Sequence, residues 1–407
     1  MVKAALIVAR DGSGLRPVFG IPAARRLVLL ARQLGLGAIH LFGRDPSLYG
    51  CVSDLIPAEA FHTVTDPSEL GPVTEGLGLD RADQALVMQA SHVVDRWSLQ
   101  KLVQAAGAED LSLSGNDGEG SAEGSEPIRL ARADLLAPLL CAMWSPGPPP
   151  AHSTPPGRRV SGAGGLPVLL RGGAHRTKSA ERALLSALGV ATAGTDSFLA
   201  RAVHRPISRF ITRGLAKTPT TPNMVTLFNI AVGLAGAFFL AKGTYAAQVL
   251  GAFLFVASTI LDGVDGEMAR LKLRESNFGH YLDIGGDNVV HVAVFFGISL
   301  GLYGRTSDPV YLWALGLLLG GFGLCALAVQ RVMGHGPEKE AQARAPFLAA
   351  LLVNRDFAYL VLLLALLHRL GWFLFGTTAG VYLFALILFV TSLRETRAKA
   401  SGNVRRR

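Results

Sequence analysis

Apolar positions change their rhythm part-way along this chain, near residue 195. Before that point they come in short bursts. Lys3 to Val8 (KAALIV), Ala38 to Phe42 and Gln84 to Met88 read as buried strands. A glycine-bearing turn, Arg10 to Pro17, and a helical pattern from Ala23 to Leu34 separate the first two. Strand, glycine turn, helix, strand predicts a parallel α/β sheet of Rossmann-like type, with Lys178 to Leu188 as a closing helix. The Gly/Ser/Pro-rich runs at 112–126 and 144–166 read as loops without chemistry. Beyond Asn223 the apolar runs lengthen. A membrane helix needs about 20 predominantly apolar residues. Six candidates follow: Asn223 to Leu240, Ala246 to Leu261, Ile284 to Tyr303, Val310 to Val329, Phe357 to Phe375 and Thr378 to Leu393. The second reaches that length only if its polar, aspartate-bearing end is helical too, and the third only by including Asp287.

The joint between the halves has its own period. Phe198, Leu199, Val203, Ile207, Phe210, Ile211 and Leu215 fall at helical spacing. Arg201, Arg205, Arg209, Arg213 and Lys217 recur every four residues on another face. That pattern predicts a basic amphipathic helix in the lipid headgroup layer, with an ordinary surface helix as the plainer alternative. The segment 218–222 (TPTTP) then breaks it.

Charge orients the rest. The net charge of +9 would suit nucleic acid if it were spread over one soluble face. Instead the basic residues crowd beside the apolar spans, which argues against a nucleic-acid partner and for membrane lipids. Arg205, Arg209, Arg213 and Lys217 precede the first span, and Arg270, Lys272 and Arg274 follow the second. Arg331, Lys339, Arg344 and Arg355 follow the fourth, and Arg394, Arg397, Lys399 and Arg405 to Arg407 end the chain. An even number of spans puts all four segments, both termini and the first domain on the cytoplasmic side of the cell (inner) membrane. MVKAALIVAR does not read as a signal peptide. Cys51, Cys141 and Cys325 are scattered, with no CxxC, so neither a disulfide framework nor a zinc site is indicated.

The candidate chemistry lies in 261–291, LDGVDGEMARLKLRESNFGHYLDIGGDNVVH. Asp262 and Asp265 are three apart, and Asp283 and Asp287 four apart, so each pair shares a helical face. Carboxylates in apolar helices cost several kcal/mol unless paired or metal-bound. Ordinary capping aspartates would account for one acid at a helix end, not for four at helical spacing on two apolar segments. An all-carboxylate pocket suits Mg²⁺ or Mn²⁺, and two such ions can clamp a pyrophosphate during in-line displacement. Arg270, one turn beyond the first pair, is placed to meet phosphate. His291, four residues after Asp287, reads either as a partner of that acid or as a histidine packed inside the bundle.

The stretch fits D-x2-D-G-x2-A-R-x8-G-x3-D-x3-D at Asp262, Asp265, Gly266, Ala269, Arg270, Gly279, Asp283 and Asp287. It resembles the CDP-alcohol phosphotransferase family over about residues 200 to 395. The resemblance implies a homodimeric membrane enzyme of six helices that moves a phosphoryl-alcohol group from a CDP-alcohol donor to a hydroxyl acceptor, releasing CMP. It implies metal ligation by Asp262, Asp265, Asp283 and Asp287, with Asp287 also the base. It further implies a cytidine diphosphate pocket lined by Gly266, Ala269, Arg270 and Gly279. Asn223 and Thr226 match a PNxxT element that borders such a pocket, and read equally well as caps.

The first half resembles sugar-phosphate nucleotidyltransferases, whose opening pattern is strand, AAGxGxR and a PKPL-like lysine. Gly12, Gly14 and Arg16 are kept, but Arg25 and Arg26 stand near where the lysine belongs, and Ser91 stands where a metal-binding aspartate belongs. Without that lysine and aspartate, nucleotidyl transfer loses its main electrostatic support, so a structural or regulatory domain is expected. The whole arrangement is similar to fused inositol-1-phosphate cytidylyltransferase and di-myo-inositol phosphate phosphate synthase proteins. That makes CDP-inositol with inositol phosphate, or CDP-diacylglycerol with a polyol phosphate, the expected substrates. The expected division is a soluble domain at 1–195, a juxtamembrane helix and linker at 196–222, a membrane domain at 223–395 and a basic tail at 396–407. A membrane prenyltransferase with Asp-rich Mg²⁺ sites, or a cation transporter, is the competing reading. The first would want N-D-x-x-D, whereas Leu261 precedes Asp262. The second has no need of Gly266, Ala269 and Arg270 at set offsets.

Overall fold

The structure, a computed structural model of the chain, describes residues 2–80, 83–106, 111–114, 128–144, 158–163, 166–170, 174–192, 200–333 and 357–404. It divides into two compact units. The first comprises 1–196 with 213–219 and 267–274, and the second comprises 197–212, 220–266 and 275–407.

The first unit is α/β. Among the described residues its main sheet has seven strands, β1 (Val2–Ala9), β2 (Ala38–Gly43), β3 (Phe61–Thr63), β4 (Gln84–Gln89), β5 (Leu111–Ser114), β6 (Ile128–Arg132) and β7 (Arg158–Ser161). They lie in the order β7-β5-β6-β4-β1-β2-β3. β1 pairs in parallel with β2 and β4, and β6 runs antiparallel to both β4 and β5. Each central strand is apolar on both faces because helices cover both sides. Ala4 to Val8 and Ala85 to Met88 are all at most 1% exposed. The covering helices of nine residues or more are α1 (Ala23–Gln33), α2 (Arg96–Gln104), α3 (Leu136–Trp144) and α4 (Ala174–Thr192). Most of the two Gly/Ser/Pro-rich runs, at 115–127 and 145–157, lies outside the described residues.

The second unit is helical. α5 (Arg205–Leu215) leads into α6 (Pro222–Ala241), α7 (Tyr245–Leu271), α8 (Asn277–Thr306), α9 (Val310–Met333), α10 (Phe357–Leu366) and α11 (Leu370–Val404), the last residues of α5 and α7 (213–215 and 267–271) belonging to the first unit. Among the described residues, four helices are long and apolar enough to cross a membrane: α6, α7, α8 and Leu370–Val390 of α11. Large apolar side chains line their outer faces; Phe228 is 61% exposed and Phe253 60%. Such a surface suits lipid contact and not water. On α5 the polar Ser208 and Thr212 are buried, while Phe210 points outward, 80% exposed. An apolar outer face on a basic helix is what the headgroup layer favours.

One boundary differs from expectation. The acids do sit on helical extensions, since α7 runs through Leu271 and α8 starts at Asn277. The last two spans are divided elsewhere. The break falls at His368, whose φ of 61° is left-handed, and not near Gly376, which lies within α11. Six spans were expected from the sequence; among the described residues α10 is a 10-residue helix and only part of α9, Val310–Cys325, counts as an apolar stretch.

Candidate active site

The acids are gathered by three helices that cross closely. α6 and α7 touch at paired glycines: a Cβ on Gly251 would lie 2.6 Å from the Gly236 carbonyl oxygen, and one on Gly236 2.9 Å from that of Gly251. Only hydrogen fits there, which is how membrane helices reach backbone contact. α8 packs its small residues on α6 in the same way; Gly286 leaves room for the Ile230 side chain. A buried hydrogen bond from Ser258 Oγ to Asn229 Oδ1, 2.7 Å, ties α7 to α6.

In that frame Asp262, Asp265 and Asp283 each present a carboxylate oxygen within 4.8 Å of the others. Asp262 and Asp265 are buried and Asp283 is half-buried. Asp287 stands one turn along α8 from Asp283, half-buried. Thr226 Oγ1, itself buried, donates to Asp265 Oδ2 at 2.6 Å and so orients that carboxylate. Asp283 Oδ1 is buried without a hydrogen-bond partner among the described residues. Three carboxylates this close repel one another, and an orphaned buried oxygen is unfavourable. A divalent cation resolves both at once, and an all-oxygen donor set suits Mg²⁺ or Mn²⁺. The residues therefore fit a divalent metal.

Gly266, Ala269 and Arg270 are half-buried and share one face of α7, at offsets of three and four. Gly279 opens α8, and a Cβ there would lie 3.0 Å from Asn223 Oδ1 on α6. The cap of α6 is Thr221, whose hydroxyl accepts from the Met224 amide at 3.3 Å, so Asn223 and Thr226 do not perform that role. Thr226 as the hydroxyl partner of Asp265 escaped the reading from sequence. The PNxxT resemblance set it beside the expected pocket, but nothing in one chain segment names a partner on another helix. His291 lies against Phe255 and Phe357, with ring centroids 5.9 and 5.1 Å away. That is the packed histidine of the plainer reading. Arg355 lies outside the described residues.

The glycine turn of the first unit is differently disposed. Asp11 accepts from the Ser13 amide at 2.9 Å, and its carboxylate also takes the Ser13 hydroxyl. Gly14 serves close approach, since a Cβ there would be 2.8 Å from that of Ala90. Arg16 Nη1 donates to the Leu170 carbonyl at 2.9 Å. Arg25 makes a two-pronged pair with Asp54, 2.6 and 2.7 Å, and Arg26 Nη1 donates to the Leu271 carbonyl at 2.7 Å. Asp95 caps α2 by accepting from the Ser98 amide.

Residues 219–393 match the family model described as CDP-alcohol phosphatidyltransferase. Curated relatives include the "Bifunctional IPC transferase and DIPP synthase" of Thermococcus kodakarensis, 29% identical over 192 residues, covering 47% of this chain and 42% of that protein. The protein of the same description from Aquifex aeolicus is 29% identical over 214 residues, 51% of this chain and 46% of that one. The aligned stretch thus spans less than half the length of these two relatives. The "Archaetidylinositol phosphate synthase" of Pyrococcus horikoshii is 26% identical over 195 residues, 47% of this chain and 90% of that protein. Among solved structures, phosphatidylinositol phosphate synthase of Mycobacterium tuberculosis with CDP-DAG bound has 21% identity and a TM-score of 0.31, over 47% of this chain and 92% of that one.

Proposed function

We propose that this chain, whose residues 219–393 are a CDP-alcohol phosphatidyltransferase domain, transfers a phosphoryl-alcohol group from a CDP-alcohol to an acceptor hydroxyl and releases CMP. The observation that carries the reading is the gathering of Asp262, Asp265 and Asp283 within 4.8 Å, with Asp287 one turn away. Asp262, Asp265, Asp283 and Asp287 would hold Mg²⁺ or Mn²⁺, two ions in our reading. Bound there, the metal offsets the negative charge of the donor's pyrophosphate and of the departing CMP. Gly266, Ala269 and Arg270 on α7, together with Gly279 and Asn223, would line the cytidine diphosphate pocket. Arg270 supplies positive charge to a phosphate.

The reaction is an in-line displacement. The acceptor oxygen attacks the phosphorus that carries the donor alcohol, and Asp287 takes the hydroxyl proton. The new P–O bond forms as the bond to CMP breaks, and CMP leaves with that electron pair. The names of the curated relatives, one an archaetidylinositol phosphate synthase, favour inositol-phosphate or phospholipid synthesis; CDP-inositol or CDP-diacylglycerol is the donor we infer. The enzyme would be a homodimer of six-span subunits in the cell membrane, with site and termini cytoplasmic. The N-terminal unit reads as a nucleotidyltransferase-like fold without that activity, because its turn and arginines are engaged within the protein.

The test is direct. Purified chain with Mg²⁺ and labelled CDP-alcohols releases CMP, and Asp287→Asn lowers the rate by about 10³-fold or more. Failure to release CMP from any donor, together with cation flux in liposomes, would sink the reading in favour of a transporter.

A further inference from the structure

The C-terminal end of α7 is held by devices that its own sequence does not supply. The Arg274 amide donates to the Ala269 carbonyl at 2.9 Å and the Leu273 amide to that of Arg270 at 3.4 Å. This is the paired closure of a Schellman motif, in which the residue before the last is left-handed and usually glycine. Here that residue is Leu273, with φ of 51°. A branched side chain persists in that conformation only where its surroundings demand it. Leu273 packs against the apolar core of the α/β sheet, within the same compact unit.

The Schellman bonds leave the Leu271 carbonyl over, one of the terminal acceptors that a helix cannot satisfy itself. Arg26 of α1 meets it. The side chain is 2% exposed, Nη1 donates at 2.7 Å, and Nε has no partner among the described residues. A guanidinium at a helix C-terminus also opposes the negative end of the helix dipole. Burying a cation for one carbonyl bond is costly unless the placement matters. A second tie lies alongside, from Lys272 Nζ to the Thr218 carbonyl at 2.6 Å.

We infer that Arg26, with Leu273, is a positioning residue for the metal-binding acids: it holds the end of α7, the continuous helix that carries Asp262 and Asp265. Leu271 is six residues beyond Asp265 on one unbroken helix. A rotation of α7 at its end therefore swings both carboxylates. The arginine near the position of a nucleotidyltransferase lysine thus acts on the other reaction, through backbone and not through phosphate. The inference rests on the metal reading of the acid cluster.

The experiment measures Mn²⁺ binding to the full chain in detergent by the loss of the free-ion EPR signal, with no substrate present. Asp262→Asn serves as the comparator without a site. Arg26→Met, which keeps the length and removes the charge, is expected to weaken Mn²⁺ about tenfold, in the range known for residues that orient metal ligands. Arg26→Lys restores part of that loss, and Arg25→Ala leaves affinity unchanged. Leu273→Gly relieves the backbone and removes the anchor, so it too weakens Mn²⁺; it carries the test should Arg26→Met fail to fold. Mn²⁺ affinity within twofold of wild type in the folded Arg26→Met, or in Leu273→Gly if that is the variant that folds, overturns the inference while Asp262→Asn still abolishes binding. Full binding by Asp262→Asn would overturn the metal reading, and this inference with it.

Discussion

The glycine turn after β1 and the acid cluster on α7 and α8 are both arrangements suited to phosphate chemistry, and their polar groups are treated in opposite ways. At the turn, the Ser13 amide that could meet an anion is taken by Asp11, which also brings a negative charge to the spot. Arg16, Arg25 and Arg26 each donate to a protein oxygen. At the acids, three carboxylates converge within 4.8 Å, and Asp283 Oδ1 is buried with no partner among the described residues. A satisfied network rigidifies a fold, whereas a gathered, uncompensated one asks for a ligand. The difference teaches that a motif's residues matter less than whether their bonding capacity is already spent inside the protein.

The sharpest way to break this comparison is to give the first unit its own substrates. Incubated with CTP, inositol-1-phosphate and Mg²⁺, the full chain should form no CDP-inositol above background, while CDP-alcohol turnover in the same preparation stays intact. Ready formation of CDP-inositol would show that Asp11 and the engaged arginines release their partners when nucleotide arrives. The lysine and aspartate missing from the motif underlie the expected size of the effect, since each such electrostatic contact is worth about 10²-fold or more in rate.

A smaller effect probes the acid side. Thr226→Val keeps the volume and removes the hydroxyl that donates to Asp265. Residues that orient metal ligands typically change affinity or activity by about 10- to 100-fold. We expect the Mg²⁺ concentration for half-maximal CMP release to rise about tenfold, with Thr226→Ser close to wild type. A valine variant with an unchanged Mg²⁺ dependence would mean that Asp265 is oriented by its helix alone.

How much of this could be read in advance depended on whether the cause was local. The acid pairs were legible because offsets of three and four in one helix determine a face. The helical extension of α7 was legible because its apolar part alone would be too short to span. The division between α10 and α11 was not. Its break falls in Leu366-Leu367-His368-Arg369, which holds neither glycine nor proline, while Gly376 lies inside a continuous helix. His368 lies instead against Arg305 and the Tyr245 ring, both far away in sequence. Packing of this kind outweighs the roughly 1 kcal/mol by which glycine disfavours a helix interior. Leu273 in the left-handed region and Arg26 on the Leu271 carbonyl are non-local in the same way. Each is set by a partner more than a hundred residues distant or by a core the segment does not itself contain.

The smallest effect lies at the start of β4, where Lys3 Nζ sits 2.8 Å from Asp83 Oδ2. The hydrogen bond from Lys3 holds the Asp83 carboxyl below the ordinary carboxylate range, and the same bond raises the Lys3 ammonium. The two shifts act at opposite ends of the pH scale. Asp83 is deprotonated more readily when folded, so its contribution is present above its unfolded value near about pH 4 and is lost as pH falls through the depressed folded value. Lys3 holds its proton more tightly when folded, so its contribution is present below about pH 10 and is lost as pH rises through the raised one. Asp83→Asn should therefore lower the unfolding midpoint slightly at pH 6, and the gap from wild type should close on acidification towards pH 3. The gap should also shrink in about 1 M salt, because Lys3 is half exposed. A gap that keeps its size at pH 3 would place the effect in the hydrogen bond from the Asp80 amide to Asp83, which an asparagine oxygen can partly keep, and not in the ion pair. That outcome would sharpen the contrast between the two regions: at Asp83 the first unit would then rely on a neutral bond, whereas the carboxylates on α7 and α8 are proposed to act through their charge.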